Sequence, residues 1–213
     1  MPTLLHVSAS PRGAASESLA IAATYLETLA HVRPDVTVES FDLWDGSLPD
    51  FGPLATAAKM AVFAGQQPSG EQVEAWAAAK QTFERFAAAD LYLFSVPMWN
   101  HGVPYVLKQL IDVISQPGMV FGFDPERGYS GLLTGRTAVV IYTSAVYGHG
   151  VSRDFGVDYQ VPYLNEWLRW AGIEQTDTIE FRPNLVTRDA DSKRRSAHAA
   201  AVDAAMRLVA EAA

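Results

Sequence analysis

The residues best suited to binding chemistry follow a long apolar run, in the segment Pro97–Pro104. Met98 and Trp99 offer surfaces on which a planar ring can pack, and Asn100 offers both a hydrogen-bond donor and an acceptor. Gly102 lets the backbone come close to a ligand. An ordinary strand-to-helix turn has the same pattern, so a binding loop and a purely structural loop both stay open.

A second candidate is the hydroxyl-rich loop Ser8–Ser18, which lies between a predicted strand and a predicted helix. A phosphate there would meet unpaired backbone N–H groups, the positive end of the helix dipole and serine hydroxyls. The alternative is that Ser16 only caps the helix. The loop matches neither Gly-x-Gly-x-x-Gly nor a Walker loop ending in Gly-Lys-Ser, which argues against a dinucleotide fold and a P-loop NTPase.

The third candidate is the glycine-containing loop Thr143–Gly150, in which Tyr147 and His149 carry polar tips. If a flavin ring lay between this loop and Met98, backbone N–H groups or His149 could stabilise the negative charge that develops on its N1–O2 edge upon reduction. The alternative is that His149 is simply solvated, as most loop histidines are.

Each of these loops follows a predicted strand of a parallel sheet, because apolar runs of strand length alternate with helical patterns along the chain. Five strands are predicted, at Thr3–Ser8, Val36–Phe41, Leu91–Val96, Thr137–Thr143 and Asp177–Phe181. The third and fourth are apolar almost without alternation, which indicates central positions. Ligands of open parallel sheets bind beyond the carboxyl ends of the strands, where all three loops begin.

Five helices and two insertions connect the strands. The helices are predicted at Ser16–His31, Ser69–Ala89, Pro104–Ser115, Tyr163–Ala171 and Asp189–Ala212. The first insertion, Leu43–Pro68, carries a helical pattern at Leu54–Phe63, and its length is typical of functional, interfacial or mobile segments. The second, Gly118–Gly131, predicts a short hairpin or ordered excursion. Neither insertion is a domain boundary, so residues 1–213 are expected to form one domain.

Composition narrows the possible functions. A net charge of -8 argues against general nucleic-acid binding, which depends on lysine and arginine. The chain has no cysteine, and therefore no disulfide, thiolate metal site or cysteine nucleophile. It has no apolar stretch of membrane-spanning length and no secretion signal, so no membrane partner and a cytoplasmic location are expected. Gly-x-Ser-x-Gly and His-Glu-x-x-His are absent, which argues against α/β-hydrolases and zinc peptidases.

Taken together, these segments resemble the FMN-dependent NADH-azoreductases, also described as quinone reductases, over nearly the whole chain. The strongest parts are Ser10–Ser18, Pro97–Asp112, Phe121–Gly135 and Val161–Ile173. The resemblance implies a flavodoxin-like three-layer α/β sandwich, with a five-stranded parallel sheet of order 2-1-3-4-5 and helices on both faces. It also implies a ping-pong reaction in which NADH or NADPH reduces bound FMN, which then reduces a quinone or an azo compound. The alternative is a flavodoxin-like electron carrier or redox-responsive binding protein without substrate turnover.

The resemblance assigns FMN contacts to all three loops. They are Ser10, Ser16, Glu17 and Ser18 at the phosphate end, Pro97, Met98, Trp99, Asn100 and His101 along the ring, and Ser144, Ala145, Val146, Tyr147 and Gly148 on its other side. Because the flavin carries the chemistry, Tyr147 and His149 are the only candidates for a catalytic role. His101 stands where the family usually has phenylalanine, and the loop after Ser144 lacks the usual Arg-Gly-Gly. Both departures are expected to affect substrate preference more than FMN binding.

The resemblance further implies a homodimer with its active sites at the subunit interface, where aromatic residues of both chains cover the flavin. Phe121 and Trp167 are at positions that resemble those aromatics, so they and His101 are predicted to contact the substrate. Phe123 and Trp170 lie nearby in the sequence. The alternative is that both tryptophans are core residues of an amphipathic helix, an interpretation we favour for Trp170.

Overall fold

The predicted strands form one parallel sheet in a computed structural model that describes residues 1–210. The sheet contains β1 (Thr3–Ser8), β2 (Thr37–Asp42), β3 (Leu91–Pro97), β6 (Thr137–Thr143) and β7 (Glu174–Phe181), and a separate antiparallel hairpin contains β4 (Phe121–Asp124) and β5 (Gly128–Gly131). The strand order β2-β1-β3-β6-β7 is the predicted 2-1-3-4-5 order, so the predicted topology is confirmed. The hairpin predicted within the second insertion is also confirmed.

Six α-helices connect and cover the strands in the described part of the chain. They are α1 (Glu17–Val32), α2 (Pro53–Phe63), α3 (Gln72–Ala87), α4 (Tyr105–Ile114), α5 (Gln160–Ala171) and α6 (Ala190–Ala210). Helix α5 begins earlier than predicted because the carboxylate of Asp158 accepts hydrogen bonds from the N–H groups of Gln160, at 2.9 Å, and Val161, at 3.0 Å. The predicted end of the last helix, at Ala212, lies outside the described residues.

The helices pack on both faces of the sheet and give the predicted three layers. On one face, α1 and α6 bury residues such as Ile21 and Ala201 against the strands. On the other face, α3, α4 and α5 contribute Phe86, Leu110 and Leu168 to a second apolar cluster. Strands β3 and β6 are buried along most of their length, as their continuous apolar sequences predict.

Candidate functional site

The three candidate loops begin at neighbouring strands, since β1, β3 and β6 lie side by side in the sheet. Ser8 of β1 is paired with Ser95 of β3, and the N–H of Ala9 donates to the carbonyl of Ser95 at 3.1 Å. The N–H of Met98 donates to the carbonyl of Thr143 at 2.7 Å. Strand pairing therefore continues into the loops and brings them to one edge of the sheet.

The hydroxyl-rich loop Ser8–Ser18, here called the serine loop, runs into the N-terminus of α1. The first N–H groups of this helix have no intrahelical acceptor. The hydroxyl of Ser16 accepts from the N–H of Leu19 at 3.4 Å, which confirms Ser16 as the cap. This hydroxyl lies 3.1 Å from that of Ser18, a buried residue. Ser10 is only 4% exposed, and its hydroxyl has no hydrogen-bond partner within residues 1–210. An unpaired buried hydroxyl is costly, and an oxyanion bound in the serine loop would supply its partner.

A buried chain of hydrogen bonds supports the first turn of α1. The Nε2 atom of His6 lies 2.8 Å from the hydroxyl of Ser95, and that hydroxyl donates to the carbonyl of Ser18 at 3.4 Å. Burial lowers the pKa of His6 to about 4, against a smaller opposing effect of Asp42. The ring is therefore neutral at neutral pH. Because the Ser95 hydroxyl uses its proton on the carbonyl of Ser18, the tautomer that completes this chain of hydrogen bonds carries its proton on Nε2. Sequence reasoning missed this support because His6 and Ser95 lie within apolar strands.

Glu17 is the first residue of α1, and its carboxylate pairs with a cation of the last helix. The guanidinium of Arg194 approaches this carboxylate to 2.8 Å. The backbone N–H of Glu17 belongs to the helix turn that lacks intrahelical acceptors. A cofactor contact through this N–H fits the structure better than one through the negatively charged side chain.

The loop after β3 is closed by a tight turn at residues 99–102. The N–H of Trp99 donates to the carbonyl of Gly102 at 2.9 Å, and the N–H of Gly102 donates to the carbonyl of Trp99 at 2.8 Å. Between them, Asn100 and His101 have φ angles of 46° and 72°. Positive φ at both central positions is required by a type I′ turn, and asparagine and histidine tolerate it better than most residues. Both residues are exposed, so the turn presents two polar side chains beside Trp99.

Trp99 belongs to a cluster of three aromatic rings that the sequence analysis did not identify. Its ring centroid lies 5.5 Å from that of Trp44 and 6.1 Å from that of Tyr105. The rings of Trp44 and Tyr105 are 5.2 Å apart and meet edge to face. This cluster joins the first insertion to the loop after β3 and restricts the orientation of the Trp99 ring.

An open cavity of about 1020 Å³ lies beside the aromatic cluster. Trp99, Asn100 and Tyr105 line it from the loop after β3 and the start of α4, and Phe51 and Lys59 line it from the first insertion. The volume and the aromatic lining are typical of a site for a flat organic ligand. A functional role for the first insertion stays a prediction, and its position at this cavity supports that prediction.

The loop after β6 is held by its own hydrogen bonds and by the segment after β7. The hydroxyl of Ser144 donates to the carbonyl of Tyr147 within the loop. The N–H of Leu185 donates to the carbonyl of Ala145 at 2.9 Å. A Cβ atom at Gly148 would collide with Pro183, so only glycine fits there without a shift of the backbone. Ala145 and its neighbour Val146 are exposed. The loop is therefore a fixed wall beside the loop after β3.

His149 lies at the outer end of this wall. Its side chain is 68% exposed, and its Nε2 atom lies 2.9 Å from the carboxylate of Glu180. Tyr147 is half-buried, with its ring near that of His149. These positions agree with a solvated, carboxylate-bound His149, and a direct catalytic role for either residue stays a prediction.

Behind this wall lies a buried cation that the sequence analysis missed. The guanidinium of Arg182 is 0% exposed and pairs with the carboxylates of Asp158 at 3.0 Å and Glu180 at 2.6 Å. It also lies 3.4 Å from the side-chain oxygen of Gln160, whose amide donates to the carbonyl of Val96 at 2.8 Å. Arg182 therefore links β7, the start of α5 and the end of β3. The only sequence signal was a cation at the carboxyl end of a predicted strand.

Comparison with known proteins agrees with this geometry. A family described by its flavodoxin-like fold matches residues 2–206. An FMN-dependent NADH:quinone oxidoreductase of Ruegeria pomeroyi is 42% identical over 189 residues, which cover 89% of this chain and 93% of the relative. This chain belongs to the flavodoxin-like family of FMN-dependent NADH:quinone oxidoreductases. A second member, FMN-dependent NADH:quinone oxidoreductase 2 of Pseudomonas syringae, is 45% identical over 179 residues, which cover 83% of this chain and 84% of the relative.

Solved structures of similar proteins share the fold of this family member. An FMN-dependent NADH-azoreductase from Bacillus anthracis, solved in complex with FMN, superposes with a TM-score of 0.87 at 24% identity. The match covers 98% of this chain and 100% of the other. The likeness shows the flavodoxin-like fold for this family member over nearly its whole length.

Phe121 and Trp167, the predicted substrate contacts outside the three loops, do not line the cavity beside Trp99 in this flavodoxin-like chain, and neither do the predicted contacts of the serine loop and of the loop after β6. Phe121 is 6% exposed and packs on Trp170, with ring centroids 4.7 Å apart. Trp167 is also 6% exposed and donates its indole N–H to the hydroxyl of Ser115 at 3.0 Å. Trp170 is partly buried and packs against the apolar cluster that contains Trp167, and the interpretation of Trp170 as a core residue stays a prediction. Trp167 occupies the inner side of α5, and Trp170 lies towards the hairpin.

The described residues of this family member contain neither a membrane-spanning helix nor a cluster of metal ligands. No helix within residues 1–210 is long and apolar enough to cross a membrane. No group of histidine and acidic side chains in the same part of the chain is arranged to hold a metal ion.

Proposed function

We propose that this chain is an FMN-dependent oxidoreductase that takes electrons from NADH or NADPH and passes them to quinones or azo compounds by a ping-pong mechanism. The observation that carries this proposal is the buried hydroxyl of Ser10, which lies in the serine loop leading to α1 and has no hydrogen-bond partner within residues 1–210. FMN as the cofactor, NADH as the electron donor and a quinone as the acceptor are proposed because the relatives are FMN-dependent NADH:quinone oxidoreductases. The azo acceptor comes from the names of the structural neighbours. Bound FMN would supply two-electron chemistry between the two substrates.

At the phosphate end, the serine loop fits a flavin phosphate. The hydroxyls of Ser10, Ser16 and Ser18 would donate to its oxygens together with the first N–H groups of α1. The hydrogen bonds from His6 to Ser95 and from Ser95 to the carbonyl of Ser18 hold the first turn of α1 in place before any ligand binds. Binding energy is therefore not spent on ordering this loop.

At the ring end, the loops after β3 and β6 fit a planar heterocycle. Pro97, Met98 and Trp99 would pack along it, and Asn100 and His101 would reach its polar edge and the entering substrate. The other wall, residues Ser144 to Gly148, would offer backbone N–H groups to negative charge on the ring. Because the N–H groups of Asn184 and Leu185 donate to the carbonyls of Ser144 and Ala145, this wall is fixed and its donors would stay in position during the reaction.

The assembly proposed for this reaction is a homodimer of single-domain chains, with a residue of each chain at every site. The exposed aromatics of the hairpin support it: Phe123 is 57% exposed and Tyr129 is 61% exposed, whereas Phe121 is buried within its own chain. A groove of about 600 Å³ lies between α4 and α5 and is lined by Ile111, Trp167 and Trp170. In this proposal, the cover over the flavin comes from the hairpin and α5 of the second copy.

Initial-rate kinetics test the proposed enzyme. NADH and a soluble benzoquinone are varied together, and a ping-pong enzyme gives parallel double-reciprocal lines. Intersecting lines would show that both substrates bind before reaction and would overturn the mechanism. Protein that holds FMN but turns over neither quinones nor azo dyes would favour the electron carrier. The 1020 Å³ cavity favours the enzyme, because a carrier needs no substrate pocket.

A further inference from the structure

The ion pair between α1 and α6 lies at the end of the serine loop. Arg194 donates through Nη2 to one carboxylate oxygen of Glu17 at 2.8 Å and through Nε to the other at 3.1 Å. A two-pronged contact of this kind fixes the relative orientation of both groups. It places a cation of the last helix against the first residue of α1.

The guanidinium of Arg194 is held from other sides as well. Its centre lies 5.2 Å from the ring centroid of Phe181, the last residue of β7. Its Nη1 atom donates to Asp191 at 2.7 Å. The hydrogen bonds with Glu17 are the largest cause of the raised pKa of Arg194. Arg194 is therefore a permanently charged, positioned group beside the helix end.

The carboxylate of Glu17 stabilises α1 but repels an anion bound at the N-terminus of this helix. A carboxylate in the first turn stabilises the helix through the dipole. A flavin phosphate carries about 1.5 to 2 negative charges at neutral pH and would bind within one helical turn, about 5 Å, of the same residue. That separation is shorter than the screening length of about 8 Å at physiological ionic strength. An uncompensated Glu17 would repel the phosphate.

We propose that Arg194 is a positioning residue for the cofactor phosphate: by pairing with Glu17 it cancels the carboxylate charge and gives the serine loop its preference for a phosphorylated flavin. This inference rests on the proposed function, because it presumes FMN at the serine loop. It assigns to α6 a role in cofactor selection, although none of the predicted FMN contacts lies on that helix. Riboflavin, which lacks the phosphate, would bind independently of the pair.

The test uses the full-length apoprotein, titrated with FMN and with riboflavin while flavin fluorescence is recorded. Arg194→Met is expected to weaken FMN binding about tenfold and to leave riboflavin binding unchanged. Glu17→Gln is expected to leave FMN binding equal or tighter. The double variant Glu17→Gln/Arg194→Met is expected to recover most of the loss, since the carboxylate at the start of α1 is then gone and the Asp191 carboxylate that remains is 84% exposed to solvent. The loss in Arg194→Met should also shrink at high salt.

Arg207→Met is the matched control. Arg207 lies on the same helix and pairs with Asp177 of β7, about 20 Å along the helix axis from Arg194. This variant removes a cross-element ion pair of similar kind and is expected to leave the affinities for both flavins unchanged.

Three outcomes would overturn the assignment. In the first, Arg194→Met weakens FMN and riboflavin binding equally, which would show a merely structural role. In the second, Arg194→Met leaves FMN binding unchanged. In the third, the double variant Glu17→Gln/Arg194→Met binds FMN as weakly as Arg194→Met does. Wild-type protein that binds neither flavin would instead overturn the proposed function, so the two failures are distinguishable.

Discussion

The indole N–H of Trp44 donates to the carbonyl oxygen of Ala9 across 3.1 Å, and the same indole packs against Trp99. One side chain of the first insertion thereby contacts both the serine loop and the loop after β3. The phosphate end and the ring end of the proposed FMN site depend on a common support.

Replacing Trp44 by phenylalanine removes this hydrogen bond and keeps an aromatic ring. We expect the free energy of unfolding to fall by about 1 kcal/mol, because the Ala9 carbonyl loses its donor. FMN should dissociate several-fold faster, since Trp99 is less restricted. Stopped-flow fluorescence measures the release. Trp76→Phe, on α3 and away from the cavity, is the control, and equal release rates for both variants would contradict the role of Trp44.

Replacing His101 by phenylalanine should change acceptor preference and leave FMN affinity nearly unchanged. A polar side chain beside the cavity becomes apolar, so the kcat/KM ratio between alkyl-substituted and hydroxylated quinones should shift by about tenfold toward the alkyl-substituted ones. A large loss of FMN would show that His101 instead holds the cofactor.

Gly156 provides a second test of the His101 position from outside the predicted site. A Cβ atom at Gly156 would overlap the His101 ring, and the φ angle of Gly156 is 107°. Gly156→Ala should therefore displace the ring and alter quinone preference without changing the identity of His101. An unaltered preference in a folded Gly156→Ala variant would argue against a substrate role for this ring.

Removing the buried cation at Arg182 should destabilise the fold strongly. Arg182→Met removes the buried cation shared by the carboxylates of Asp158 and Glu180, at a cost of about 3–5 kcal/mol in the free energy of unfolding. Urea unfolding measures this change. Arg169→Met, which breaks an exposed ion pair with Glu166, should give no measurable change. Similar midpoints for both variants would contradict the structural importance of Arg182.

His6 predicts a specific pH dependence of stability. Its pKa is lowered from 6.5 to about 4 in the folded chain, so the unfolded chain binds a proton first as the pH falls. The His6 contribution is therefore complete above pH 6.5 and is lost as the pH falls towards 4, by up to about 3 kcal/mol. Urea unfolding at a series of pH values should show this slope in wild type and in the surface variant His31→Asn. The free energy of unfolding of His6→Asn should depend less steeply on pH. If its pH dependence matches that of wild type, other titratable groups cause the dependence.

The strands and the three loops could be predicted because each is encoded locally. Continuous apolar runs identify β3 and β6, and the serine loop stands directly before an amphipathic helix. The supports of the site depend instead on contacts between residues far apart in sequence. Trp44 meets Trp99 and Arg194 meets Glu17 only after the strand order has been set, and no local pattern records such pairings. Phe121 and Trp167 show the same limit, since burial by α5 and the hairpin was not visible in the sequence.

Anaerobic reduction and reoxidation of the FMN-reconstituted protein separate the two half-reactions of the proposed enzyme. NADH or NADPH is expected to bleach the flavin absorbance in a first, isolable step with release of the oxidised nicotinamide. A quinone or azo dye added afterwards should restore the absorbance fully, with no nicotinamide present. Protein that takes up no FMN, or bound FMN that neither nicotinamide bleaches, would overturn the proposed oxidoreductase.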